Sequence, residues 1–463
     1  MSDVPESWIR CTIGSRCNLV NGRAFKPTDW SEKGLPIVRI QNLNDPDARF
    51  NRFDGEVRSR FLIDTGALLF AWSGTPGTSF GAHIWNGGPA VLNQHIFNVI
   101  FDEEKIDKQF FRLAINQKLD ELIDKAHGGV GLRHVTKGKF EATEIDLPPL
   151  SEQRRIVAKL TDLLKRSKTA REELAHIPRL VQRYREAILA SAFRGELTAD
   201  WRGKASAKSK DSLATGLTAI RSAYFRQAGT KEKPVLSPSW MPDIDLPGTW
   251  EFVSVDQLTT LVQYGSSAKT SESLTKGVPV LRMGNIFEGQ LDYTNLKYLP
   301  ACHDEFPELL LRDGDILFNR TNSAELVGKT AVYSDVGHPI SFASYLIRLR
   351  VVGYLPELLS AYINSSFGRA WVRSVVKQQV GQANVNGTKL RELGVPMMPM
   401  DEQKELWSRI NRTFTIIERL SKEATRATEL LDRLDQATLG KAFRGDLMTE
   451  VENLKSGKSY VAR

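Results

Sequence analysis

Leu150-Ser151-Glu152-Gln153-Arg154-Arg155-Ile156 returns as Met400-Asp401-Glu402-Gln403-Lys404-Glu405-Leu406, and Ala192-Phe193-Arg194-Gly195-Glu196-Leu197 returns as Ala442-Phe443-Arg444-Gly445-Asp446-Leu447. Both pairs sit at an offset of 250, so 145–198 lies over 395–448 without a gap. Repeats of roughly 20–50 residues build solenoids. A single duplication of half a chain instead gives two similar modules related by an approximate two-fold, an arrangement that suits a two-part target.

The duplication runs outward from these helices more loosely. Leu35-Pro36-Ile37-Val38-Arg39-Ile40-Gln41-Asn42 resembles Val278-Pro279-Val280-Leu281-Arg282-Met283-Gly284-Asn285, and Gly66-Ala67-Leu68-Leu69-Phe70 resembles Gly314-Asp315-Ile316-Leu317-Phe318. The offset drifts from 242 at Trp8 and Trp250 to 250 at Gly131 and Gly381. Variable recognition surfaces on a fixed frame produce that pattern, and so does ordinary drift in surface loops.

The repeated motif opens a long helix. Ile156, Leu160, Leu163, Ser167, Ala170, Leu174, Ile177, Val181, Tyr184 and Ile188 recur at spacings of 4 and 3, the pattern of a coiled-coil seam. Ser151 with Glu152-Gln153 supplies a start signal. Pro178 predicts a kink or split. The second copy, Leu406, Ile410, Thr413, Ile417, Leu420, Ala424, Ala427, Leu431, Leu434 and Thr438, has no proline. Phe193 and Phe443 each precede Arg-Gly, a helix stop.

The rest of each half is mixed. Runs at 35–41, 67–72 and 96–101 read as strands bounded by turn residues, and 104–126 has helical spacing in Phe111, Ile115, Leu119 and Leu122. The predicted fold is therefore α/β (α+β): two similar globular domains joined by two long helices forming an antiparallel coiled coil, with a pseudo-two-fold. The divisions are 1–150 for the first domain, 151–198 for its helix, 199–240 for a basic linker with a short helix near 211–227, 241–398 for the second domain, 399–450 for its helix and 451–463 for a flexible tail.

The 463 residues carry a net charge of +8 and a hydrophobic fraction of 41%, which excludes a disordered chain and favours an anionic partner such as nucleic acid. Three cysteines, Cys11, Cys17 and Cys302, form neither a disulfide framework nor a zinc site. Without a signal region or an apolar run of about 20 residues, the sequence reads as cytoplasmic, with no membrane partner.

Pro149-Leu150-Ser151-Glu152-Gln153 with Ala192–Leu197, and Pro399-Met400-Asp401-Glu402-Gln403 with Ala442–Leu447, resemble the specificity (S) subunit of type I restriction–modification enzymes. Trp8 and Trp250 open two target-recognition domains in the places that family leads one to expect. The resemblance implies a non-catalytic, sequence-specific DNA-binding subunit, each domain reading one half of a bipartite target on double-stranded DNA. It implies two methyltransferase (M) subunits that use S-adenosylmethionine and two translocase–nuclease (R) subunits that use ATP and Mg, so that no cofactor or metal is held in this chain. Two alternatives stay open: a specificity subunit of a two-subunit enzyme lacking an ATP motor, and a coiled-coil scaffold that does not bind DNA.

A search for chemistry agrees with a binding role. Val327-Gly328-Lys329-Thr330 ends like a phosphate loop, but Ser323 stands where the first glycine belongs. Asn-Pro-Pro-Tyr is absent, Pro242-Asp243 has no Glu-x-Lys after it, and His83 and His95 are scattered imidazoles. For reading bases, arginine suits guanine and phosphate, while asparagine and glutamine suit adenine. The candidates are Arg16, Asn21, Arg23, Lys26, Ser73, Gln94, His95, Arg133 and His134 in the first domain. In the second they are Tyr264, Ser266, Lys269, Asn319, Arg320, Asn322, Ser344, Tyr345, Gln379, Gln382 and Asn384. Arg39 and Arg282, on equivalent strands, read as anchors of the fold.

Overall fold

The computed structural model describes residues 4–45, 47–74, 80–124, 133–204, 212–273, 277–323, 325–379 and 382–447. The glycine-rich stretch His127-Gly128-Gly129-Val130-Gly131, which reads from the sequence as a loop, and the tail 451–463 lie outside the described residues. Contacts divide the chain into two units, 1–175 with 425–463, and 176–424.

The first unit is built on a four-stranded sheet in the order Cys17–Asn21, Ile96–Phe101, Leu68–Ala71, Gly81–Ile84. Its apolar faces close over the helix Lys108–Gln117, burying Phe70, Phe97, Val99, Phe110, Phe111 and Ile115 in one core. A second sheet runs Arg52–Phe53, Leu35–Val38, Ala90–Leu92, Leu62–Ile63, with Leu35–Val38 and Ala90–Leu92 parallel. The strand read at 35–41 stops at Val38. Asn42 is buried, accepts the Arg39 N–H at 3.1 Å and donates to the Ala48 and Arg49 carbonyls, which turns the chain into the short helix Ile40–Asn44.

The second unit repeats this plan. Its four-stranded sheet runs Thr259–Tyr264, Leu346–Val351, Ile316–Asn319, Thr330–Val332, and Gly277–Leu281 pairs in parallel with Ser341–Phe342. Asn285 repeats Asn42, accepting the Arg282 N–H at 2.9 Å and donating to the Asp292 and Thr294 carbonyls. In each unit the first strand pairs with the last: Ile9–Thr12 with Glu144–Leu147, and Glu251–Ser254 with Gly394–Met397.

That closure delivers the chain to the helix motif beside the opening tryptophan. Trp8 Nε1 donates to Glu152 at 3.2 Å, and Trp250 Nε1 to Glu402 at 2.9 Å. Gln153 is fully buried; it accepts the Asp107 N–H at 2.7 Å and donates to the Pro148 and Lys105 carbonyls. Gln403 does the same with the Leu355 N–H, at 2.9 Å, and the Met398 and Gly353 carbonyls. The motif is repeated because each copy bolts a helix start to its own domain.

The first long helix is split into Leu150–Ala175 and Ile177–Phe193, with Pro178 in the first turn of the second piece, where its missing N–H costs nothing. Its copy, Met400–Ala442, is unbroken. In the first unit Arg171 donates to Asp432 at 3.0 Å and to Asp435 at 2.6 Å. In the second, Arg185 lies over the Phe414 ring and Arg409 donates to the Leu197 carbonyl at 2.8 Å, so the helices there run antiparallel. The expected seam needs correction at three places: Tyr184, Leu420 and Leu434 are 54%, 56% and 55% exposed. Arg185, Ser421 and Asp435, one position on, turn inward instead. A helix of 3.6 residues per turn drifts about 20° per heptad, which moves a strict 3.5-residue pattern off the contact line.

The stretch 199–240 carries the helices Ala199–Lys204 and Leu213–Gln227. Leu217 enters the core of the second unit, and buried Arg221 donates to the Asp256 carbonyl at 2.8 Å, also to the Thr259 carbonyl, and pairs with Glu232. No helix among the described residues is long and apolar enough to cross a membrane.

Candidate nucleic-acid interface

At the edge of each four-stranded sheet the backbone makes one corner, built twice. Gly22 N–H donates to the Ile96 carbonyl and Arg23 N–H to Leu92; Gly265 N–H donates to Leu346 and Ser266 N–H to Phe342. Only glycine fits there: a Cβ on Gly22 would stand 2.1 Å from the Asn93 oxygen, and one on Gly265 2.3 Å from the Phe342 oxygen. Trp72 N–H donates to His95 at 3.3 Å and Arg320 N–H to Tyr345 at 3.0 Å. Val135 N–H then closes on the Trp72 carbonyl at 3.0 Å, and Val385 N–H on that of Arg320 at 2.9 Å. Short helices leave both corners, capped by Thr136 and Asn386.

The side chains on this shared frame differ. In the first unit Asn21, exposed at its strand end, accepts the Trp72 indole N–H at 3.4 Å, and the Trp72 and His95 rings lie 5.2 Å apart. In the second unit the equivalent positions carry Tyr264, Arg320 and Tyr345. The Arg320 guanidinium sits 4.9 Å from the Tyr264 ring centroid and donates to exposed Asn384 at 3.2 Å. The Tyr264 hydroxyl accepts the Gly387 N–H at 2.8 Å, which fixes the ring. Among the described residues no carboxylate pairs with Arg320. Arg348 and Arg350 behave otherwise: they share buried Asp315, and burial pulls Arg348 down to about 10, partly opposed by that carboxylate.

The predicted residues divide between this edge and the frame. Asn21, His95, Tyr264, Arg320, Tyr345 and Asn384 meet at the two corners. Gln94, bonded to His95 at 3.1 Å, lines with it a cleft of about 240 Å³ that also takes in Phe25, Trp30, Arg39 and Gln41. Arg23 lies between the Phe25 and Phe53 rings at 5.1 and 4.5 Å, and Arg39 lies over Trp30 at 5.7 Å. Arg282 donates to the Asn295 carbonyl at 2.7 Å.

Lys26 and Lys269 are exposed, Ser344 is half-buried beside Tyr345, and Asn322 bonds the Ser323 N–H at 2.8 Å. Ser266 and Asn319 are 3% and 1% exposed; the first donates to Glu305 and the second to the Leu326 carbonyl, so both serve the frame. Ser73 is likewise buried, paired in register with His134. Arg133, His134, Gln379 and Gln382 are placed by backbone pairing alone, on short ladders beside the corners. Arg16 follows the turn at the other end of its strand from Asn21 and does not join them. Sequence reading missed Trp72, Gly22 and Gly265. The match of Gly66 to Gly314, carried six residues on, would have set Trp72 against Arg320.

The two units are copies of one mixed α/β module that share the backbone of this corner and differ in the side chains it presents. Residues 5–179 match the family model described as the type I restriction modification DNA specificity domain. The chain is 25% identical to the EcoBI specificity subunit of Escherichia coli, over 99% of this chain and 91% of that one. It is 24% identical to the EcoKI specificity subunit of Escherichia coli strain K12, over 99% and 94%. The fold matches an HsdS subunit from Thermoanaerobacter tengcongensis with a TM-score of 0.60 at 20% identity, covering 96% of this chain and 98% of that one. It also matches a chain solved in work on assembly and conformational transition of the type I R-M system, with a TM-score of 0.65 at 19% identity, covering 96% and 99%. The resemblance read from the two helix motifs, to specificity subunits of type I restriction–modification enzymes, is thereby borne out along the chain.

Proposed function

We propose that this chain is the DNA-reading, non-catalytic subunit of a type I restriction–modification complex, each globular unit recognising one half of a bipartite target. The observation that carries this reading is the twice-built corner: identical backbone hydrogen bonds presenting Asn21, Trp72 and His95 in one unit and Tyr264, Arg320 and Tyr345 in the other. Corners that share their backbone bonds and differ in exposed polar and aromatic side chains suit two readers of different base sequences. A net charge of +8 suits the phosphate backbone. The long helices serve as an antiparallel coiled-coil spacer between the two readers. Two methyltransferase and two translocase–nuclease subunits dock on this chain and bring S-adenosylmethionine, ATP and Mg; the chain itself positions them.

The test is methylation mapping with the assembled methyltransferase complex on a randomised DNA library. Two separated short sequences are expected. Exchange of residues 1–150 for the corresponding part of another such subunit should alter one and leave the other. Affinity should fall steeply between about 50 and 200 mM salt, because bound phosphates release counterions. A salt-insensitive complex, or an exchange that alters both sequences together, contradicts the proposal.

A further inference from the structure

We propose that Arg320 is the specificity-determining residue of the second unit and that it reads a guanine, with Tyr264 and Asn384 as its positioning residues. This rests on the DNA-reading function proposed above and assigns to one side chain a position of the target.

Arg320 has no freedom in its backbone: its N–H is held by Tyr345 and its carbonyl by Val385. Its guanidinium is supported from two further directions, by the Tyr264 ring at 4.9 Å and by Asn384 Oδ1 at 3.2 Å. Both supports are exposed and Arg320 itself is half-buried, its Nε covered and without a partner, so the terminal nitrogens lie toward the surface edge. Arg350 is neutralised by two 2.8 Å bonds to Asp315 and Arg391 by Asp256 at 2.7 Å. Arg320, like Arg282 with its bond to the Asn295 carbonyl, has no carboxylate among the described residues, but unlike Arg282 it is held by two exposed side chains, Tyr264 and Asn384. Its bond to Asn384 uses one N–H of one terminal nitrogen and Nε is covered; the N–H groups left on the two terminal nitrogens match the paired O6 and N7 acceptors of guanine, a pattern no other base offers in the major groove. The equivalent position of the first unit holds Trp72 on the same backbone bonds, an indole whose single N–H is already given to Asn21. The frame therefore accepts either side chain, and the choice of arginine is not dictated by folding.

The experiment compares the wild-type methyltransferase complex with R320A, R320Q and R320K by methylation mapping on the randomised library, alongside DNA affinity. In the wild type one position of one half-site should require guanine. All three variants should relax that position, by roughly fivefold to 150-fold in preference, while the other half-site stays unchanged. Lysine keeps the charge but lacks the planar fork, so failure of R320K to restore the preference marks a base contact. N384A should weaken the same position and no other. The proposal is overturned if the variants lower affinity equally on all sequences with the preference intact, the signature of a phosphate contact, or if R320K behaves as wild type. If R320A does not fold, R320Q and R320K give the same reading. A wild-type complex without sequence preference would remove the DNA-reading function itself, and is seen before any variant is compared.

Discussion

Single side chains in this protein divide into those that hold the frame and those that the frame presents. Gln153 is of the first kind. Its amide satisfies one N–H and two carbonyls at the point where a domain hands over to a helix. Q153A leaves those groups buried without partners and should destabilise the protein by about 2–4 kcal/mol. Q153E should do no better, because a carboxylate cannot donate to the Pro148 and Lys105 carbonyls. Denaturant unfolding checks this; a midpoint unchanged in both variants would show that the bolt contributes nothing. Cys17 is also a frame residue. Burial, with Glu141 nearby, pushes its thiol up to about 12, and Sγ donates to the Ile13 carbonyl at 3.3 Å. The thiolate is the reactive form, so at pH 8 a disulfide reagent should modify exposed Cys302 quickly and Cys17 only after unfolding. C302S should abolish the fast phase and C17S should leave it untouched. Residue type alone misleads in both directions: Ser266 and Asn319 look like base readers, yet both are buried and bond within the fold. Trp72, after an apolar strand, looks like core and stands at the corner.

At the scale of elements, each helix ends on a glycine that touches a domain opening. Gly445 has φ 84°, and a Cβ there would stand 2.4 Å from Pro5; Gly195 has φ 77°, and a Cβ would stand 2.3 Å from Pro247. The end of the second helix therefore seats on the beginning of the first unit, and the end of the first helix on the second globular domain within its own unit. G445A combines an unfavourable φ with a rigid ring in the way and should cost about 2–4 kcal/mol. G440A, inside the helix with only the Arg444 guanidinium near, should stabilise by about 0.5–1 kcal/mol. Thermal unfolding of the pair decides it, and a G445A no less stable than wild type would contradict the seat. The helices, their length and their stop signals were legible because motif and apolar period repeat together. Register was legible only near the motifs. Tyr184, Leu420 and Leu434 fit a strict heptad in the sequence, and only packing shows that the contact line has moved to their neighbours.

In the whole molecule the long helices pass from one unit to the other, with the divide after Ala175 in one and after Ala424 in the other. The duplication made two modules legible from sequence, because matched motifs at a constant offset survive divergence. It left the corners obscure, since their likeness lies in backbone hydrogen bonds and their side chains have parted. If the helices set the distance between two readers, lengthening both at the divide should lengthen the gap in the target. Four residues inserted after Ala175 and four after Ala424 add about 6 Å to each helix, close to two base pairs at about 3.4 Å each. Placing the first insertion there keeps Arg171 on Asp432 and Asp435, which an insertion after Ala170 would separate. It also keeps Pro178 in the first turn of its helix. Four residues make a little over one turn, so the seam returns nearly to its old face and local unwinding absorbs the remainder. Methylation mapping on a library with randomised spacer length should then recover both half-site sequences with a spacer longer by about two base pairs. A folded, active complex that keeps the original spacer would reduce the paired helices to a connector.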